Sequence, residues 1–126
     1  MNTYLVASGI LTILMAIAHT VAGEMLILIP LQKAEGLPAV RGSIRTTKAT
    51  LRFTWHVTSV FGIGIAFIFF YYSGLTEFNP EQIYILRILS LTFLVSFVVA
   101  IVGSRARHPS WAVFIFVSIL TWLSTN

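Results

Sequence analysis

Three histidines and one glutamate, His19, His56, His108 and Glu24, lie within or beside runs that are otherwise apolar, such as "LTILMAIAH" and "VFGIGIAFIFFYY". Ionisable groups inside a membrane span are costly to bury and mark a functional site by default. Imidazole nitrogens joined by a carboxylate suit zinc, iron, copper or nickel. Two histidines facing each other across a bundle also suit the axial positions of a haem. The expected metal-ligating set is therefore His19, His56, His108 and Glu24. The expected cofactor-binding set is His19 and His56 with Arg52, whose guanidinium suits a haem propionate or a lipid phosphate.

The spacing behind this expectation is one of depth. His19 lies about 6 Å of helix before Gly23, and His56 about 7.5 Å after Leu51. On helices of opposite direction the two rings reach one level. His108 precedes Pro109, a residue favoured in the first turn of a helix, so it belongs at the same end. Glu24 sits about 140° around a straight helix from His19, off its face. No HxxxH or HExxH pair shares a helix. There is also no nucleophile–base pair at a defined spacing and no phosphate-binding glycine loop, so no catalytic residue is assigned. The competing account makes these histidines purely structural, bonded to nearby hydroxyls: Thr54, Thr58 and Ser59 beside His56, and Thr20 beside His19.

The elements that position these residues follow from composition. Of 126 residues, 57% are hydrophobic and only 10% charged, with a mean hydropathy of +0.91. Soluble domains carry about 25% charged residues, so this chain cannot clothe a water-facing surface. Cysteine is absent, which excludes disulfides and thiolate ligands. The expected fold is a single all-α domain, an integral membrane four-helix bundle running up-down-up-down in antiparallel fashion. Its spans fall at about 4–23, 51–72, 83–102 and 109–123, with a long loop over 24–50 whose apolar start, "EMLILIPL", either continues the first helix or lies along the inner membrane surface. The fourth span is short and needs its flanks or local thinning of the bilayer to cross. Small residues should line the helix contacts: Ser8, Thr12, Ala16, His19 and Gly23 on the first helix, Ser59, Gly62 and Ala66 on the second, and Ser96, Ala100 and Gly103 on the third.

Charge sets the expected orientation. Lys33, Arg41, Arg45, Lys48, Arg52, Arg105 and Arg107 all fall in or beside the loops at 24–50 and 103–108, leaving Arg87 alone at the other end, either to snorkel outward or to pair with Glu77 or Glu81. By the positive-inside rule those loops are cytoplasmic and both termini lie outside, as in a bacterial inner-membrane protein. The tyrosines and Trp122 mark the outer interface, and Trp55 and Trp111 the inner one. Because topology explains the basic charge, nucleic acid is not an expected partner. The expected partners are anionic headgroups and a second copy or a larger membrane complex. Three functions fit this pattern: metal or haem binding for redox or regulatory work, an accessory scaffold subunit, and an oligomeric small transporter or proton-coupled carrier.

Overall fold

A computed structural model describes all residues, 1–126, as four helices with no strand. We number them α1 (Thr3–Lys33), α2 (Ile44–Ser73), α3 (Pro80–Ser104) and α4 (Ser110–Leu123). The first three are long and apolar enough to cross a membrane, consistent with an integral membrane protein, whereas α4 has only 14 residues.

Two helices are longer than hydropathy implied, and the loop expected over 24–50 contracts to residues 34–43. One cause is Pro30. Proline has no N–H and its ring crowds the carbonyl four residues earlier, which normally ends or kinks a helix. Here the preceding turn, Glu24–Leu28, widens into a π-helix in which the Ile29 N–H reaches back to the Glu24 carbonyl, and α1 continues to Lys33. The other cause is an N-terminal cap hidden in polar sequence. Ser43 accepts the Thr46 N–H at 3.3 Å and starts α2 at Ile44. Thr47 then pins the loop, donating to the Pro38 carbonyl at 2.6 Å while its oxygen accepts the Val40 N–H at 3.0 Å. Gly36 and Gly42 take left-handed φ values of 77° and 75°, which allow the reversal.

Downstream, Asn79 and Gln82 form a reciprocal capping box, each side chain accepting the other's backbone N–H at 2.9 Å, with Pro80 in the first turn. Arg105 and Ala106, both with positive φ, close α3, and the Ala106 N–H bonds the Ile101 carbonyl at 2.8 Å.

α1 is the central helix: it packs along α2 and along α4, and α4 packs along α3. At one end the Asn2 N–H meets the Ser73 carbonyl (2.8 Å), and the Asn2 amide donates to the Ser124 carbonyl (3.1 Å). At the far end of the first pair, Lys48 meets Gln32. The core cluster, Leu5, Phe69, Leu86, Phe93 and Val117, draws on every helix, and the Phe69 and Phe93 rings tie α2 to α3 at 6.1 Å between centroids.

Small residues line two of the three expected stripes. Ser8, Thr12, Ala16 and Gly23 are buried on α1, as are Ser59 and Ala66 on α2. The third stripe differs. α3 turns Leu86, Ser90 and Phe93 inward, whereas Gly103 is exposed with open space where a Cβ would stand, and Ser96 bonds back to the Thr92 carbonyl of its own helix. Ser90 and Ser118 decide that face: each hydroxyl donates to the other's carbonyl at 2.8 Å, a reciprocal pair that needs both serines at the α3–α4 contact. Arg87 likewise departs from the expected pairing with Glu77 or Glu81. It bonds Thr125 and Asn126 at 2.7 and 2.9 Å and lies over the Trp122 ring, fastening the C-terminus to α3.

The aromatic centre of the core should dominate packing stability. Phe69→Ala is expected to lower the unfolding free energy by about 3 kcal/mol, read as a fall in thermal midpoint in mild detergent. A midpoint within error of wild type would contradict the placement of Phe69.

Candidate functional site

The ionisable residues gather on the seam between α1 and α2, on the side of the molecule away from the termini. α1 contributes His19, Gly23 and Glu24, and α2 contributes Arg52, Trp55, His56 and Ser59. The contact is built around one aromatic ring. The Trp55 indole lies against Gly23, occupying the space that any Cβ there would need. It stacks on the His19 imidazole at 4.4 Å between centroids and 4° between planes. Its N–H donates to the His19 backbone carbonyl at 2.9 Å. The same imidazole bonds a second α2 residue, Nδ1 and the Ser59 hydroxyl sharing a 2.9 Å hydrogen bond.

Since Trp55 is fixed over Gly23, the next residue on each helix is brought into register. Glu24 receives His56 Nε2 on Oε2 at 3.0 Å. Arg52, one turn earlier on α2, grips the same carboxylate through both ends of its fork, Nη2 on Oε1 and Nε on Oε2 at 3.3 Å. The cluster grades outward from Glu24 (side chain 20% exposed) through His56 (35%) to Arg52 (51%). Exposed ion pairs contribute little stability, so Arg52 serves chiefly to hold the carboxylate in place. His56, in its neutral form with the proton on Nε2, donates to Glu24; when protonated, the same contact becomes an ion pair.

The structure therefore brings together three of the expected residues, Glu24, Arg52 and His56, and keeps the others apart from them. His108 is exposed at the start of α4, where Nδ1 meets the Ser110 hydroxyl at 2.8 Å and the Ser110 N–H at 3.3 Å. Nowhere do three histidine, aspartate or glutamate side chains converge as a metal would require. The expected four-residue metal set is thus divided, because His19 and His108 each turn to a serine. The paired-histidine haem arrangement is not formed either. His56 Nε2 is occupied by Glu24 and His19 Nδ1 by Ser59, and a tryptophan covers the face of His19.

One contact escaped sequence reasoning. Trp55 reads as an interfacial aromatic, yet it is the filler of the α1–α2 seam. Ser59, expected on the inward stripe of α2, does face α1, where its partner is His19. The signal for Trp55 was present in Gly23, a residue without a side chain opposite a large one. Comparison with protein-family models, with curated proteins and with solved structures finds no match to this chain.

If Trp55 needs the space at Gly23, Gly23→Val should destabilise the protein by about 1–3 kcal/mol, the usual range for overpacking. Adding Trp55→Leu to that variant should recover part of the loss. Thermal unfolding of the single and double variants measures the coupling, and strictly additive effects would exclude the contact.

Proposed function

We propose that this chain is an integral membrane protein whose working centre is the Glu24–His56 pair, acting as a proton-exchanging site of a small carrier. The observation carrying this reading is the coincidence of two costly features at Glu24. A carboxylate on an apolar helix takes both a histidine and an arginine from α2, and the same residue opens a π-helical turn, a distortion frequent at functional sites. Partly exposed ion pairs contribute little stability, so stability alone gives little reason for such a cluster. His56 is the member whose side chain serves in general acid–base chemistry, taking up or giving up a proton. Proton uptake turns its hydrogen bond to Glu24 into a charge pair, and release returns it to neutral, with Arg52 compensating the carboxylate throughout. A chain of this size encloses no pathway by itself, so the carrier reading includes a second copy.

The same reading places the four helices in alternating directions in a bacterial inner membrane, with the basic loops on the cytoplasmic side. Supporting it are the contact of the α1 start with the α2 end and the bias of seven basic residues toward the loops at 24–50 and 103–108. The native chain has no cysteine, so single replacements report orientation cleanly. Asn126→Cys should react with an impermeant maleimide in intact spheroplasts, and Gly36→Cys only after permeabilisation. The reverse pattern would invert the topology.

One observation favours a scaffold instead: no buried side-chain nitrogen or oxygen lacks a hydrogen-bond partner, as expected of a polar network that only knits helices. Proteoliposomes loaded with a pH-sensitive dye separate the two readings. After an acid pulse the carrier predicts protein-dependent equilibration, slowed at least about tenfold in Glu24→Gln and His56→Gln at equal insertion. Equal rates in wild type and both variants would leave the scaffold.

A further inference from the structure

We propose that the groove between the distal parts of α1 and α2 is a binding site for one anionic phospholipid, an acyl chain lying in the groove and the phosphate held by Lys48. The site is distinct from the Glu24–His56 pair and requires only that the protein sits in a bilayer.

The groove has a volume of about 290 Å³ and is lined by the apolar residues Ile27, Leu28, Leu31, Leu51 and Trp55 together with His19 and two threonines. That volume is at the lower limit of small-ligand pockets, roughly 300–1,000 Å³, and suits a flexible chain better than a broad fused ring. Its lining is apolar for most of its length, so the occupant's buried part is hydrocarbon.

The charge at its outer end identifies the headgroup. Lys48, Leu51, Trp55 and Thr58 follow one another at spacings of three, four and three residues, one face of α2. Lys48 thus stands at the end of the stripe that walls the groove. Its Nζ donates to the Gln32 carbonyl at 2.7 Å, which ties the ammonium to the backbone next to Leu31, a residue of the opposite wall. An ammonium has three N–H donors, so two are left for a ligand. Arg45 lies one turn before Lys48 and Arg52 one turn after it. Over residues 24–52 there are five basic side chains and two acidic ones, Glu24 and Glu35. Glu24 is already engaged by Arg52 and His56. An aliphatic slot with a cationic mouth is complementary to an anionic amphiphile, and membranes supply phospholipids of that charge in abundance on the cytoplasmic leaflet.

The test uses the full chain in mild detergent and three probes: phosphatidylglycerol, phosphatidylcholine with the same acyl chains, and inorganic phosphate. Native mass spectrometry should show one retained phosphatidylglycerol, with a raised thermal midpoint, and neither effect from phosphatidylcholine or phosphate. Lys48→Gln should weaken retention about fivefold, the loss expected for one basic contact, whereas Arg107→Gln should not. Thr58→Trp, which fills the groove, should abolish retention at unchanged helical content by circular dichroism. If that variant does not fold, Lys48→Gln alone decides. Equal retention of the two lipids, an equal midpoint shift from phosphate, or full retention by Lys48→Gln would each overturn the proposal.

Discussion

The Trp55 indole resting on the bare backbone of Gly23 is the contact on which the distal half of the molecule depends. It stacks on His19 and bonds that residue's carbonyl, so it fixes the separation, depth and register of α1 and α2 together. Glu24 follows Gly23 and His56 follows Trp55, so seating the indole delivers the carboxylate to the imidazole. The core cluster, with members from all four helices, is centred elsewhere. The seam must therefore hold its own geometry, and it does so with one ring, one missing side chain and five polar bonds.

The rest of the protein solves the same problem with smaller groups. In lipid there is no hydrophobic drive between helices, and an interhelical hydrogen bond contributes on the order of 1 kcal/mol. Ser90 and Ser118 exchange two such bonds between α3 and α4, and Thr121 reaches Ser8 at 3.3 Å between α4 and α1. None of these is strong. Their value is positional, since an unpaired hydroxyl in an apolar contact costs more than the bond supplies. Each pair therefore excludes neighbouring registers as much as it stabilises its own.

The apolar runs, the short turns and the gathering of basic residues at one end could be read from sequence because they follow from hydrocarbon thickness and local propensity. Asn79–Pro80 announces a helix start by standard capping chemistry, and that is where α3 begins. Helix ends at 24–50 were not legible in the same way. Pro30 looks like a stop, and only the π-turn lets the helix pass it; residues 44–50 look like loop because they are polar, yet Ser43 caps them into α2. The site was half legible. His56, Arg52 and Glu24 stand out as charges in apolar surroundings, but pairing depends on rotations that linear spacing does not encode. His19 and His108 found serines, and a serine hydroxyl is too common to single out beforehand.

The π-turn at Glu24–Leu28 has a meaning for helical phase. On an uninterrupted α-helix Leu31 would stand about 120° around the axis from His19. A π-turn absorbs one extra residue, which turns everything after it back by about 100°, so Leu31 comes to within about 20° of His19. That rotation is why the two share a wall of one groove. In effect α1 is two helices of different phase spliced end to end: the first keyed to the bundle, the second to its hairpin with α2. The wide turn is the single-residue offset that lets one chain satisfy both.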